Sequence, residues 1–274
     1  MNVDLLIKAG VTFAYLTGLG FLVVGISLSY RRGRLHPLLL LCISALSFSW
    51  IEAPYDWAMY AQFPPALPRM PSWWPLNLTW GGLPSAVPVG YMGYFVLPAI
   101  IGAALGRWAS GKWDWRRPQT LLLVGFAVGF CWALFFNAII GARLGLFYYG
   151  YVIEGLGLWE GTKHQYPVYD AIAMGIQMMV FTYLLGRNDS EGRNVIEMWA
   201  DKISRTRLQS AMLSVIAVIV VGHAVYASVF APHLVTKLGG WVTVGPTEQL
   251  FRGCPISRNS RTLEWPPARA ATPA

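Results

Sequence analysis

Two carboxylates stand four residues apart inside a long apolar stretch of this sequence. Glu52 and Asp56 occur in the segment WIEAPYDW at residues 50–57, within an apolar run from about residue 37 to residue 63. On a helix, residues four apart share one face. Because an ionised carboxylate at bilayer depth costs a few kcal/mol or more, such residues usually face the interior of a helix bundle or a wet cavity. The pair therefore predicts a buried acidic site.

Buried carboxyl groups that neighbour each other can do acid–base chemistry. Burial disfavours ionisation, and two adjacent carboxyls resist ionising together. One can stay protonated as a general acid while the other acts as a base or stabilises a cation. Tyr55 and Trp57 add aromatic faces that favour a passing cation. The sequence carries no nucleotide-binding loop, nucleophile elbow or metal-ligand spacing. We therefore expect chemistry without a cofactor or metal on an apolar substrate, such as cyclisation, dehydration or isomerisation.

The elements that would position these groups are membrane helices. Of the 274 residues, 55% are hydrophobic and only 12% are charged, against about 25% charged residues in soluble domains. Six apolar runs are long enough to cross ~30 Å of hydrocarbon, at about residues 5–29, 37–63, 88–106, 120–142, 168–186 and 210–231. We predict an all-α, polytopic bundle of six transmembrane helices. It would form a single domain over residues 1–231, followed by a polar, non-cytoplasmic tail at 232–274.

Basic residues concentrate in the loops on one side of the predicted bundle. The first, third and fifth runs are followed by basic clusters, whereas the two loops on the other side hold only Arg69, Arg143 and Lys163. The positive-inside rule then places both termini on the non-cytoplasmic side. We interpret the formal charge of +8 as this topology signal and not as a nucleic-acid surface. The expected location is the bacterial cytoplasmic (inner) membrane, with the lipid bilayer as a partner.

Further polar side chains fall at a similar depth, on the side of the two weakly basic loops. Asn137 lies toward the end of the fourth run and Asp170 at the start of the fifth. We predict a polar cavity in which Glu52, Asp56 and Asp170 are catalytic. The residues expected to orient the substrate are Asn137, Gln165, Tyr166, Tyr55, Trp57, His164 and Glu154. Hydrogen bonds between helices without chemistry are the alternative explanation, and a lone His223 on an apolar run is more typical of packing than of a ligand.

Several stretches are similar to segments of one family of membrane proteins. GTKHQYPVYD at residues 161–170 is similar to a Gly-Thr-x-x-Gln-aromatic-Pro-x-Tyr-acid segment, and EAPYD at 52–56 resembles an Asp-Pro-containing helix. RLGLFYY at 143–149, DSEGR at 189–193 and the pair Cys254-Pro255 also have counterparts, so the similarity spans about residues 45–257. The chain thus resembles the spirocyclase AveC-like family.

This resemblance implies a spiroketal-forming activity, with dehydration as a second activity. It implies protonation of a hemiketal hydroxyl, an oxocarbenium ion and capture by a second hydroxyl, a logic close to two-carboxylate glycoside hydrolysis. The positions that match the family's polar residues are Glu52, Asp56, Gln165 and Asp170. Asn137 differs, because the family tends to have a carboxylate in that helix.

The resulting expectation is a cofactor-independent cyclase that forms a spiroketal and/or dehydrates an apolar, polyketide-like substrate. A membrane terpene cyclase or isomerase would use the same acids and aromatic residues. A transporter, a lipid-binding protein or an accessory subunit with a protein partner is the non-enzymatic alternative. The sequence contains no inverted repeat and no paired broken helices, which disfavours a transporter.

Overall fold

Six membrane-length helical segments make up the fold, as the sequence predicts. The computed structural model describes residues 3–79 and 81–245. Its helices are α1 (Val3–Arg32), α2 (Pro37–Phe48), α3 (Glu52–Ala58), α4 (Ala86–Trp113), α5 (Arg117–Ala133), α6 (Val168–Gly186), α7 (Val195–Ile203) and α8 (Arg207–Leu238). Within the described residues, the segments long and apolar enough to cross a membrane are Leu5–Arg32, Pro37–Ala58, Ala86–Trp113, Arg117–Arg143, Val168–Gly186 and Arg207–Leu238. The prediction of an all-α, six-span membrane bundle is confirmed.

The second span is interrupted in its middle. α2 ends at Phe48, a short 3-10 turn covers Ser49–Ile51, and α3 begins at Glu52. Pro54 lies in the first turn of α3, where its missing N–H and its ring prevent a regular α-helix from continuing back through the preceding turn. The interruption makes Glu52 the first residue of a new helix, and it leaves Asp56 one turn further along α3.

The fourth span changes its helix type near one end. α5 passes directly into a π-helical segment, Leu134–Arg143, which contains Asn137. π-Helical turns are rare and frequently occur at functional sites. The second and fourth spans therefore both become irregular near residues that the sequence analysis singled out.

Two long connections pack together at the end of the bundle that we call the long-loop end, which carries residues 59–85 and 144–167. β1 (Ala61–Gln62) pairs antiparallel with β2 (Tyr148–Tyr149), and β3 (Gly157–Leu158) pairs antiparallel with β4 (Tyr166–Pro167). The Arg69 guanidinium donates to the carbonyl oxygens of Phe63, Pro64 and Gly82, which ties residues 63–82 into a compact loop. These bonds hold the connections over α3 and α6.

The opposite end is held by ion pairs around the short helix α7. Arg32 lies 3.3 Å from Glu197, Arg34 lies 2.9 Å from Asp201, and Arg193 pairs with Asp189 at 2.7 Å. The Ser210 hydroxyl and the Arg34 guanidinium lower the pKa of Asp201 below its usual value. Charged partners thus dominate this end of the bundle.

The last span is longer than the sequence predicts. The apolar run ends near residue 231, but α8 continues through Pro232 to Leu238. A proline removes one backbone hydrogen bond and bends a helix without always ending it. The extension brings His233 and Lys237, which are 4% and 3% exposed, into the bundle. Residues 246–274 of the predicted polar tail, including Cys254 and Pro255, lie outside the described residues.

We expect the glycines of α5 to set its distance from α6. A Cβ on Gly129 would lie 2.6 Å from the Met174 carbonyl oxygen, so Gly129→Ala should lower the free energy of unfolding by about 1–3 kcal/mol. Gly20→Ala in α1 is the matched control, because nothing lies within 4 Å of that Cβ. Thermal unfolding in detergent would compare the two variants, and equal stability would contradict the close approach of α5 and α6.

The orientation in the membrane stays a prediction, and it can be tested with two exposed lysines at opposite ends. In a variant without native cysteines, Lys163→Cys at the long-loop end should react with a membrane-impermeant maleimide on intact cells. Lys112→Cys, near the end of α4, should react only after lysis, because the basic loops are expected in the cytoplasm. The reverse labelling pattern would place both termini in the cytoplasm.

Candidate functional site

A cavity with a volume of about 180 Å³ lies among the helices at the long-loop end. The carboxylates Glu52, Asp56 and Asp170 all line it, and Asn137 and Tyr55 line it with them. α3, the π-helical segment and the first turn of α6 supply these groups. Five of the predicted site residues, from distant parts of the sequence, therefore share one cavity.

Asp170 is surrounded by hydrogen-bond donors. Its Oδ2 accepts from Asn137 Nδ2 at 2.8 Å and from the Tyr166 hydroxyl at 2.9 Å, with the Tyr149 hydroxyl at 3.5 Å. The Tyr55 hydroxyl donates to Oδ1 at 3.2 Å. Donors of this kind stabilise a carboxylate, and the N-terminus of α6 adds a favourable dipole. Asp170 is thus arranged to carry a negative charge inside the bundle.

Glu52 has a different set of partners. The hydroxyls of Tyr91 in α4 and Tyr226 in α8 both donate to Glu52 Oε2. Phe48 stacks on the Tyr226 ring, with centroids 4.8 Å apart, and supports this arrangement. Among the described residues, no side chain bonds Oε1, so that oxygen can carry a proton without displacing a donor.

Asp56 connects the site to the first long loop. Its Oδ2 accepts a hydrogen bond of 2.9 Å from the Thr79 hydroxyl, and both side chains are buried, at 3% and 4% exposure. This bond holds the loop on α3. Asp56 lines the cavity, but its hydrogen bond with Thr79 favours a role in positioning the loop.

The other predicted site residues lie around the cavity without lining it. Tyr166 is fully buried, and its hydroxyl donates to Asp170. Gln165 donates to the Tyr149 carbonyl and accepts from the Gly161 amide. The Trp57 ring packs against Lys237 Nζ at 3.9 Å. Outside the cavity wall, within the described residues, lie Tyr166, Gln165, Trp57, His164 and Glu154. His164 Nδ1 is instead 2.9 Å from the Ala142 carbonyl, and Glu154 is exposed.

His223 has a complete set of structural partners. The Trp50 indole donates to His223 Nε2 at 3.1 Å, so Nε2 is an acceptor. Nδ1 then carries the proton and donates to the Ile219 carbonyl at 2.9 Å. Both ring nitrogens are satisfied, which agrees with the packing role expected for a lone histidine on an apolar helix.

Several tyrosines at the site were missed by the sequence analysis. Tyr91 and Tyr226 bond Glu52, Tyr94 donates to Asn137 Oδ1 at 2.8 Å, and Tyr149 approaches Asp170. Burial raises the pKa of Tyr149 well above its usual value, and the Asp170 charge adds to the effect. The available signal was a set of tyrosines inside apolar runs, where a buried hydroxyl needs a partner.

The remaining cavity wall is largely apolar. It includes Val11 and Phe13 of α1, Val87 of α4, Phe136 of the π-helical segment, and Phe147. No group of three or more His, Cys, Asp or Glu side chains suited to a metal ion occurs within residues 3–79 and 81–245. The arrangement offers carboxylates and neutral donors within an apolar enclosure, which suits proton transfer to and from an apolar molecule with a few oxygen atoms.

These features define a polytopic membrane protein with a cavity that three carboxylates line. The model of the family described as Spirocyclase AveC-like matches residues 30–257, which is most of the chain. The protein therefore belongs to the spirocyclase AveC-like family. The comparisons with curated proteins and with solved structures found no match.

We expect the Thr79 hydroxyl to be needed for the stability of the first long loop. Thr79→Val keeps the side-chain volume but leaves Asp56 Oδ2 without its donor, and an unpaired buried polar group costs about 1–3 kcal/mol. Thr79→Ser, which retains the hydroxyl, is the control and should lose less. Thermal unfolding and proteolysis of residues 64–85 would measure the effect. If both variants behave alike, the Thr79–Asp56 bond does not hold the loop.

Proposed function

We propose that this protein is a membrane cyclase of the bacterial inner membrane that closes a spiroketal in, and/or dehydrates, an apolar polyketide-like substrate by acid–base catalysis. Membership of the spirocyclase AveC-like family supports a cyclase or dehydratase role. The observation that carries the proposal is the pair Glu52 and Asp170, two carboxylates inside the bundle with separate donor sets that line one cavity. Two carboxylates in different surroundings can take the acid and base roles.

Glu52 is the proposed general acid and Asp170 the proposed base. Glu52 would give a proton to a hemiketal hydroxyl. The bond between the hemiketal carbon and this protonated hydroxyl would break, which releases water and forms an oxocarbenium ion. A second hydroxyl of the substrate would then form the new C–O bond as its proton passes to Asp170. The net reaction releases one water, and one proton moves from Glu52 to Asp170. Asp56 is the less favoured acid because its carboxylate is bonded to Thr79.

The neutral groups around the cavity support this reaction. Tyrosine rings present electron-rich faces that stabilise a nearby cation, and Tyr55, Tyr91, Tyr94 and Tyr226 all line the cavity. Asn137 bonds both Tyr94 and Asp170, which suits a residue that orients donors around the base. An oxocarbenium ion would thus form among aromatic rings and carboxylates, away from bulk water.

Access from the lipid would suit an apolar substrate. α1 forms one wall of the cavity, and most of its large apolar side chains are exposed on the outside of the bundle. In the cavity wall, Phe13 of α1 packs against Phe136 of the π-helical segment, with ring centroids 6.3 Å apart. A substrate dissolved in the bilayer would enter between these two elements. A cytoplasmic precursor would then reach the site through the membrane.

The proposal predicts that charge-neutral substitutions at the two carboxylates remove turnover. Glu52→Gln and Asp170→Asn should each lower the rate of ring closure by about 10²–10⁴-fold, because they remove proton transfer at nearly constant volume. Asp56→Asn should act mainly on stability. The assay is mass-spectrometric detection of product from hydroxyketone polyketide precursors, with purified protein in lipid nanodiscs.

Two acids at the opposite end of the bundle provide matched controls. Glu191→Gln changes an exposed glutamate, and Asp114→Asn changes an exposed C-cap with positive φ, which asparagine tolerates. Both should keep normal turnover. Near-normal turnover in Glu52→Gln and Asp170→Asn would overturn the acid–base proposal. Cyclic prenyl products would identify a terpene cyclase instead, and tightly bound phospholipid without turnover would favour a lipid-binding role.

A further inference from the structure

A hydrogen-bonded chain leads from Asp170 to a histidine that has no part in the reaction described above. The Tyr55 hydroxyl lies 3.2 Å from Asp170 Oδ1 and 3.2 Å from His233 Nε2. We infer that Tyr55 and His233 form a proton relay that removes the proton taken up by Asp170, a role that rests on the proposed function. His233 is then a positioning residue, because it acts on the reacting atoms only through Tyr55 and Asp170.

Among the described residues, Tyr55 is the side chain that forms a hydrogen bond with the His233 imidazole. The imidazole is 4% exposed and stands edge-on to the Tyr55 ring, with centroids 5.1 Å apart, while the Tyr169 ring of α6 lies at 5.2 Å. Lys237 is one turn further along α8. Its ammonium donates to the Trp57 carbonyl and lies over the Trp57 ring. The titratable groups facing His233 are thus Tyr55 from α3, Tyr169 from α6 and Lys237 from its own helix.

The donor set of Asp170 determines which of its oxygens can hold a proton. Oδ2 already accepts from Asn137 and Tyr166, so a proton on this carboxyl belongs on Oδ1, facing Tyr55. From there it passes to the Tyr55 oxygen as the Tyr55 proton passes to His233 Nε2. An O–H bond of Asp170 breaks and an N–H bond of His233 forms, while Tyr55 is neutral before and after. The imidazolium then releases its Nδ1 proton to water.

The relay requires the Tyr55 hydroxyl to point in either of two directions. When Asp170 is ionised it can only accept, so Tyr55 donates to it and His233 presents Nε2–H to the Tyr55 oxygen. When Asp170 is protonated it donates to Tyr55, which then donates to a bare Nε2 and leaves the proton of a neutral His233 on Nδ1. Without these two hydrogen bonds of the Tyr55 hydroxyl, the tautomer of His233 would not depend on the state of Asp170.

Asp170→Asn imitates the protonated state and provides the test. The side-chain oxygen of the substituted asparagine should take the Oδ2 position, because Asn137 and Tyr166 both donate there. Its NH₂ group then faces Tyr55 and donates to it, so Tyr55 must turn toward His233. ¹⁵N NMR of histidine-labelled protein in nanodiscs, without substrate, should show His233 as the Nδ1–H tautomer. Adding Tyr55→Phe should abolish this state and return His233 to Nε2–H.

The chain holds four histidines, and His223 is an internal control. Its Nδ1 donates to the Ile219 carbonyl and its Nε2 accepts from Trp50. It should therefore stay Nδ1–H in every variant, and Trp50→Phe would assign its signal. The relay is overturned if His233 remains Nε2–H in Asp170→Asn, or if the Tyr55→Phe change leaves its tautomer the same.

If Asp170→Asn does not fold, the relay can be tested in the wild-type protein instead. The infrared carboxyl band of Asp170 and the nitrogen signals of His233 should then change at the same pH, and Tyr55→Phe should separate the two transitions. Independent transitions in the wild-type protein would overturn the relay. Because these measurements need no turnover, a coupled His233 in a protein that closes no ring would refute the cyclase and not the relay. If Asp170→Asn loses turnover but the tautomer of His233 does not depend on Asp170, the relay is refuted and the cyclase is not.

Discussion

Buried negative charge is the constraint on which this structure depends. A carboxylate inside an apolar bundle is tolerated only where donors replace the water that it has lost. Asp170 receives such donors from the π-helical segment, from the second long loop and from α3. Glu52 receives them from α4 and α8. Each of these two carboxylates joins several elements. The packing of the helices and the set of donors at the site therefore depend on each other.

The carboxylates at the two ends of the bundle have different kinds of partner. Around α7, acids are paired with arginines at 2.7–3.3 Å, and the pKa of Asp189 and of Asp201 is lowered. At the cavity, the hydrogen-bond donors to the carboxylates are hydroxyl and amide groups, which carry no charge. An arginine would hold its partner in the ionised form. Neutral donors leave proton exchange possible, which fits the proposed acid–base role of the site.

Departures from regular helix coincide with the site. The second span is interrupted just before Glu52, and the fourth becomes π-helical around Asn137. Both departures have local costs in backbone hydrogen bonding, and such segments persist where the surrounding structure and function require them. Membership of the spirocyclase AveC-like family accords with a cyclase role, but a fold does not carry a substrate with it. The proposed substrate class rests instead on the carboxylates and the apolar wall of the cavity.

The sequence by itself determined the class of fold. Six apolar runs of membrane length leave few alternatives, because lipid requires every backbone group in a span to be bonded within it. Sequence reasoning also selected Glu52, Asp56 and Asp170, since carboxylates in such runs are rare and costly. Their roles are proposals, and the structure adds that all three line one cavity.

Only the tertiary structure decided which neutral groups surround the carboxylates. Tyr91, Tyr149 and Tyr226 come from separate elements, and no spacing in the sequence indicates that their hydroxyls converge on Glu52 or Asp170. His233 was missed for a different reason, because Pro232 suggests the end of a span and α8 instead runs on to Leu238. Side-chain periodicity depends on neighbours along one helix, whereas hydrogen bonds across helices depend on packing. That difference separates what could be predicted from what had to be observed.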